Sequence, residues 1–329
     1  MQILLTGATG FLGFRTLEKL IDLPWVSKIV ATGRNLLPYR TIVHPKVVYV
    51  PGDLQDKEFV HSIAEGVDLI INTAALSSPW GKRSDFEKAN LHTQSNLLEA
   101  AKKSKVSRFV YISSPSIYYN GADRIGVKES DPLPGKFVNE YARTKFEAEQ
   151  MLEHSHLPYI ILRPRALVGR GDSIIMPRLI RAFDEGRLRI IGNGGNIVDL
   201  TGVENVADAI VLSLMAQGEA LNQAYNITNN DPVNLWEKIR YVLAALDRPL
   251  GNRKVPFAVA HGFAGLMELM ARVAHQHEPS LTRYGVGTLA KSFTLDISKA
   301  RDLLGYMPKV STDAAIDEFV NWYRIHEKV

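Results

Sequence analysis

The chain has 329 residues, no cysteine, and 39 Lys and Arg against 35 Asp and Glu, a formal net charge of +4. Without cysteine there is no disulfide scaffold, thiolate metal site or cysteine nucleophile, and so mild a basic balance gives no nucleic-acid footprint by itself. At 46% hydrophobic residues the chain reads as a globular enzyme, long enough for two domains and a core that needs no staples.

The N-terminal half alternates short β-branched runs with helical patterns. Ile3–Thr6 reads as a strand, about Phe11 to Leu20 as a helix, and Lys28–Thr32 and Val47–Val50 as the next strands. Asp68–Thr73 is a fourth strand, about Ser84 to Lys103 a long helix, and Arg108–Ser113 a fifth strand. Glu140–Glu153 is helical and Tyr159–Arg163 a sixth strand. Near-continuous apolar strands separated by helices predict a doubly wound parallel α/β sheet, a Rossmann architecture covered on both faces. Beyond Pro164 the pattern loosens: Val206–Met215 and Trp236–Leu246 read as helices and Ala224–Thr228 as a strand. Lys254–Ala290 is mostly helical and apolar, and an amphipathic helix closes the chain from about Thr312 to Ile325. The predicted organisation is a dinucleotide-binding domain over 1–165, with about 200–230 returning to it, interleaved with a smaller, mainly helical substrate lobe over 166–329.

Between the first strand and first helix stands Thr6-Gly7-Ala8-Thr9-Gly10-Phe11-Leu12-Gly13. Gly7 suits the positive φ of a tight turn, Gly10 lets a pyrophosphate approach the backbone, and Gly13 lets the helix pack close to the strand. The N–H groups of Thr9 to Gly13 and the helix dipole then face phosphate. Where an acidic residue would bind a ribose diol, the second strand ends Gly33-Arg34-Asn35. The Arg34 fork suits a 2′-phosphate, which favours NADP(H) over NAD(H). Asp53, beside Leu54, is a candidate acceptor for the adenine amine, with a helix cap as its other reading; Asp56 is the better cap. Thr73, Ala74 and Ala75 end the fourth strand with small side chains on which a cofactor can lie.

Tyr141 and Lys145 are spaced to share one helix face. An ammonium near a phenol stabilises phenolate, so Tyr141 is read as the proton donor to a carbonyl oxygen, with Lys145 also holding ribose hydroxyls. A serine at the end of the fifth strand supplies a hydrogen bond to that oxygen; Ser114 is the choice, with Ser113 and Ser116 as alternatives.

The ordered set of glycine turn, Ser114 and Tyr141-x-x-x-Lys145 resembles the extended short-chain dehydrogenase/reductase superfamily along essentially the whole chain. The resemblance implies that Asn90 supports the active-site lysine through water, and that Arg163-Pro164 lies beside the nicotinamide ribose. Ser113-Ser114-Pro115-Ser116-Ile117, Phe137-Val138-Asn139-Glu140-Tyr141, Pro232 to Trp236, Glu278 to Arg283 and Leu304-Gly305-Tyr306 are similar to the 3β-hydroxysteroid dehydrogenase branch, which includes bacterial 2-alkyl-3-oxoalkanoate reductases. This implies reversible hydride transfer at a ketone or secondary alcohol on a large hydrophobic substrate, a β-hydroxy or β-keto acid, a sterol-like compound or a 2-alkyl-3-oxoalkanoate, and a homodimer. A nucleotide-sugar epimerase and a non-catalytic cofactor sensor are the competing readings. Arg178, Arg181, Arg187 and Arg189 would grip a sugar pyrophosphate or form a solvated face.

No metal is expected; His275-Gln276-His277-Glu278 reads as a solvated loop. The apolar stretch Val255 to Ala274 carries Glu268 and Arg272, so it reads as a helix over a substrate cavity, with peripheral membrane contact as its other use. Phe257, Phe263, Leu266, Met267 and Met270 are expected either to line the pocket or to serve as core. The short first apolar run has no basic leader, so a cytoplasmic location is expected, with no nucleic-acid partner.

Overall fold

The computed structural model describes residues 1–273 and 278–326; Ala274 and His275-Gln276-His277 lie outside the described residues. Seven parallel strands form the main sheet. In chain order they are Gln2–Thr6, Lys28–Thr32, Val47–Tyr49, Leu69–Asn72, Arg108–Ile112, Tyr159–Pro164 and Gln223–Ile227. Their spatial order is seventh, sixth, fifth, fourth, first, second, third. The order reverses between the first and fourth strands, where a crevice opens at the carboxyl ends. Thr6 stands in register with Thr32 on one side and Asn72 on the other.

Strands this apolar need cover on both faces. One face meets Leu17 and Leu20 of the helix Phe11–Ile21 and Val206 and Ile210 of the helix Val203–Met215. The other meets Val60, Leu97, Ala148 and Leu152. The chain leaves the sheet after the sixth strand and returns through Val203–Met215 to lay the seventh strand beside it.

The expected helix from Ser84 to Lys103 is broken. A turn of α-helix, Arg83–Phe86, passes into a π-helical stretch, Glu87–His92, before Thr93–Lys103 resumes the regular pitch. Apolar periodicity cannot register one extra residue per turn, and such stretches gather at functional sites.

The second lobe holds a four-stranded sheet that the sequence pattern does not reveal. Its strands are Val233–Asn234, Ile197–Val198, Phe293–Leu295 and Arg124–Val127, in that spatial order. Pieces this short carry no measurable alternation. Around them pack the helices Leu235–Ala245, Phe257–Val273, Arg283–Ala290 and Thr312–His326, with Trp236, Ile316 and Phe319 in their core. Trp236 Nε1 donates to the carbonyl of Leu289 at 2.9 Å, tying two of these helices together.

The helix Phe257–Val273 is inverted. Its inward residues are Ala260, Ala264, Glu268 and Ala271, whereas Phe263 is 57%, Leu266 53% and Met270 59% exposed. These three are therefore not core, and neither they nor Phe257 or Met267 line the crevice. Small inward residues let the helix lie close to Arg283–Ala290, which leaves its bulky side chains facing out. Among the described residues no helix is long and apolar enough to cross a membrane.

Candidate active site

The glycine turn closes the crevice from below. Gly7 has φ +69°, and a Cβ there would lie 2.7 Å from Thr73 Oγ1 and 2.9 Å from the Ala74 nitrogen. At Gly13 a Cβ would fall 2.0 Å from the Gly7 carbonyl oxygen. Both positions therefore require glycine for close approach, and Gly7 requires it for its backbone conformation too. No side chain caps the helix that starts at Phe11, so its N-terminal end presents backbone donors to the crevice. The switch point is cross-tied: Asn72 Oδ1 accepts from Thr6 Oγ1 at 2.7 Å and from the Ala74 nitrogen at 3.1 Å.

The crevice has a volume of about 810 Å³, within the range of a cofactor and part of a substrate. Gly7, Thr9, Gly10, Phe11, Leu12 and Gly13 form its floor. Arg34, Asp53 and Leu54 stand at one end, and Thr73, Ala74 and Ala75 along the middle. At the other end lie Ser114, Tyr141, Lys145 and Pro164. A cradle that an added Cβ would fill, uncapped helix donors and a crevice of this length fit a dinucleotide.

Arg34 is exposed on the rim. Asp53 is exposed and its Oδ1 accepts from the Gln55 nitrogen at 3.0 Å, while Asp56 caps the next helix through Glu58 and Phe59. Arg40, which sequence reasoning passed over, is buried and donates to the carbonyls of Thr9 at 3.2 Å and Gly171 at 2.8 Å. It clamps the glycine turn to the second lobe. No spacing rule could have found it, because its partners are backbone carbonyls on two separate loops.

Asn139 caps the helix Glu140–Glu153 by accepting from the Ala142 nitrogen. Tyr141 and Lys145 lie on one face of it. Burial pushes the Tyr141 phenol up to about 12, and a hydrogen bond from Ser114 opposes that rise. The ammonium does not supply the lowering that helical spacing suggests. Lys145 Nζ instead donates to the carbonyl of Ile112 at 2.5 Å and sits 4.3 Å from the centre of the Tyr111 ring. Burial depresses it to about 7, with Glu149 pulling the other way. Charge placed in a dry pocket loses more hydration than one neighbouring carboxylate restores.

Ser114 begins a short 3₁₀ turn, Pro115–Tyr118, and its Oγ accepts from the Ser116 nitrogen at 3.2 Å. Its two alternatives, Ser113 and Ser116, carry buried hydroxyls with no hydrogen-bond partner among the described residues. Asn90 lies in the π-helical stretch. Its Oδ1 accepts from the Leu76 nitrogen at 2.8 Å and its Nδ2 donates to Thr144 Oγ1 at 2.9 Å, so it bolts the loop after the fourth strand to the catalytic helix. It does not line the crevice.

Arg163 turns away from the crevice that Pro164 lines. Its Nε donates to Glu149 Oε1 at 2.9 Å and its Nη2 to Glu149 Oε2 at 2.5 Å, and it also donates to Tyr118 Oη. Tyr118 in turn donates to Asn226 Oδ1 at 3.1 Å. This buried chain joins the catalytic helix to the sixth and seventh strands. Tyr284, from the second lobe, closes the crevice over Tyr141, and Arg165 lines it beside Pro164. Neither stands in a local motif. Arg178 pairs with Glu278 at 3.2 Å, Arg187 pairs with Glu185, and none of the four clustered arginines lines the crevice. Among the described residues no group of acidic and histidine side chains has the geometry to hold a metal ion.

The profile described as the NAD dependent epimerase/dehydratase family matches residues 3–228. The chain is 30% identical over 323 residues to 2-alkyl-3-oxoalkanoate reductase of Shewanella oneidensis, covering 94% of this chain and 82% of that one. It is also 30% identical over 342 residues to sterol-4-alpha-carboxylate 3-dehydrogenase, decarboxylating, of Candida albicans, covering 98% and 97%. Among solved structures, dTDP-glucose 4,6-dehydratase from Streptomyces venezuelae, with NAD and TYD bound, has a TM-score of 0.80 at 23% identity, covering 100% and 98%. That likeness speaks for the fold alone.

Proposed function

Since the chain belongs to the NAD dependent epimerase/dehydratase family, within the extended short-chain dehydrogenases/reductases, we propose that it transfers hydride reversibly between NADP(H) and a ketone or secondary alcohol on a large hydrophobic substrate. One observation carries this reading: Ser114, Tyr141 and Lys145 line the same crevice as the glycine turn, with the second lobe closing over them. A nicotinamide dinucleotide bound there supplies or accepts the hydride. Tyr141, a phenol whose burial pushes it further above its ordinary range, gives its proton to the carbonyl oxygen as the alcohol forms. Ser114 Oγ donates a hydrogen bond to that oxygen and keeps it facing the phenol. Lys145, which lines the same crevice, would hold the ribose hydroxyls of the nucleotide. Asn90 holds the helix at the height this geometry needs.

Arg34 on the rim, with no acid beside it in Gly33-Arg34-Asn35, supports NADP(H) over NAD(H). The outward apolar side chains of Phe257–Val273, flanked by exposed Arg253, Lys254 and Arg272, suit an anionic lipid surface from which such a substrate is drawn. The epimerase reading has less support, since the arginines that would grip a sugar pyrophosphate lie off the crevice.

The test is NADPH oxidation over long-chain 3-oxo acids, oxosteroids and nucleotide sugars, with and without anionic phospholipid vesicles. Turnover of an apolar ketone is expected, and turnover of nucleotide sugars alone would replace this reading by the epimerase one. Tyr141→Phe is expected to lower kcat by about a thousandfold while NADPH titration shows unchanged affinity. Retained turnover would remove Tyr141 from its role.

A further inference from the structure

Arg40 is a buried cation that the chemistry above does not use. It ends the 3₁₀ turn Pro38–Arg40 and is 8% exposed, whereas its neighbour Tyr39 is 63% exposed. Its Nη1 donates to the Thr9 carbonyl at 3.2 Å and its Nη2 to the Gly171 carbonyl at 2.8 Å. Among the described residues no carboxylate is in ion-pair contact with it. Asp172 acts on it only at longer range, because the Asp172 oxygens are taken by the nitrogens of Ile174, Ile175 and Met176 at 2.7, 3.1 and 2.9 Å.

Gly169 to Asp172 make a short strap. The Asp172 N–H donates to the Gly169 carbonyl at 3.1 Å, and Gly171 turns the chain at φ +89°. The start of the first helix lies against it: Phe11 Cδ2 is 3.7 Å from where a Cβ on Gly171 would stand. Arg170 fastens the outer side. Its Nη2 donates to both oxygens of Glu18 at 2.8 Å, and its N–H to Glu318 Oε2 at 3.1 Å. Arg15, on the same helix as Glu18, donates to Glu18 at 2.6 Å and to Glu318 at 2.9 Å. Asp172 in turn holds the start of the helix Ile175–Asp184. Asp172, Ile174 and Ile175 line the crevice whose floor is the glycine turn.

We propose that Arg40 is a positioning residue that couples a dinucleotide phosphate on the glycine turn to the strap Gly169–Asp172, so that occupying the turn fixes the second-lobe wall carried by Ile174 and Ile175. A buried guanidinium with no counter-ion in contact has lost hydration that two carbonyls only partly restore. A phosphate above the turn supplies the opposite charge through dry protein. That gain is greatest while Thr9 and Gly171 both grip the guanidinium, which is when the strap is closed. Dinucleotide binding and strap closure therefore favour each other, equally in both directions. The coupling needs only a dinucleotide on the turn and is independent of the substrate reduced.

The experiment is amide hydrogen exchange of the segment 170–176, read by mass spectrometry with and without saturating NADPH, or NADH should the wild type bind it more tightly. It is run on the wild type, Arg40→Met, Arg40→Lys and Glu18→Gln, beside fluorescence titrations of the same dinucleotide. The dinucleotide is expected to slow exchange in the wild-type segment by about tenfold. In Arg40→Met that protection should shrink to about twofold, the share owed to direct contact, and dinucleotide affinity should fall by about tenfold. Arg40→Lys keeps the charge but has no fork to span both carbonyls, so it should fall between; should the methionine variant not fold, the lysine variant carries the same comparison. Glu18→Gln slackens the strap from its outer side. It should speed exchange in the free protein yet keep the wild-type protection ratio, which separates coupling from general loosening. Equal protection in the wild type and the Arg40 variants would overturn the proposal. So would a Glu18→Gln variant that loses protection as fully as Arg40→Met, or a wild type that bound dinucleotide leaves unprotected.

Discussion

The two walls of the crevice are built on different physical principles. The dinucleotide wall is backbone: a turn at Gly7, a helix end at Phe11 and a contact at Gly13 that admits no side chain. The opposite wall is side chain: Tyr141, Arg165 and Tyr284 arrive from three separate segments, and the Arg165 Nε has no hydrogen-bond partner among the described residues. A backbone wall recognises what every dinucleotide shares, whereas a side-chain wall can be refitted one residue at a time. The same sheet can thus serve many substrates without losing its cofactor.

The comparison is broken most severely at Gly13. Gly13→Val would drive a side chain into the Gly7 carbonyl, which lies 2.0 Å from the position of a Cβ. Cofactor affinity is expected to fall by about a hundredfold or more, with a lower Tm from overpacking; fluorescence titration with NADPH and thermal melting read both. Retained affinity would mean that the backbone wall is not what holds the dinucleotide.

A second test probes the meeting line of the walls, at Lys145. Burial depresses its ammonium to about 7, far below an unfolded lysine. Between those values the unfolded chain binds a proton that the folded chain does not. Stability therefore rises as pH climbs through this window, and the full penalty is felt below it. Lys145→Met removes the titration. Its Tm relative to wild type is expected to be highest at about pH 6 and to fall by several degrees towards about pH 10. A pH-independent difference would show that the ammonium is not desolvated as its surroundings suggest.

The smallest effect sharpens the comparison at the outer end of the dinucleotide wall. Arg34 is exposed, so an ion pair with a 2′-phosphate there would be screened. Arg34→Ala is expected to raise KM for NADPH by about fivefold to tenfold and leave that for NADH within about twofold. An equal effect on both would dissociate Arg34 from the choice between them.

The glycine turn and the Tyr141–Lys145 pair are legible in the amino-acid sequence because chain-local geometry sets both, by a strand-to-helix turn in one case and the helical period in the other. The main sheet is legible for the same reason, since each strand is a continuous apolar run. Tyr284 over Tyr141 is not, because nothing local to either residue encodes a meeting across half the chain. Arg40 is invisible for a related reason: carbonyl groups are its partners, and every residue has one. The Lys145 environment also escapes spacing arguments. Helical period puts the ammonium on the same helix face as the phenol, but carries no word of the Ile112 carbonyl and the Tyr111 ring that it meets. The inverted helix Phe257–Val273 misleads because its small residues face inward and its bulky ones are left exposed.

The Glu149–Arg163–Tyr118–Asn226 chain beneath the catalytic helix has a consequence for how this enzyme can change. It works as a keel: the rotation and depth of Glu140–Glu153 are set from below, by groups that never meet a ligand. Residues above it are free to drift towards new substrates while Tyr141 and Lys145 keep their place. Change in the keel itself would be felt as lost foldedness long before it altered what the enzyme prefers.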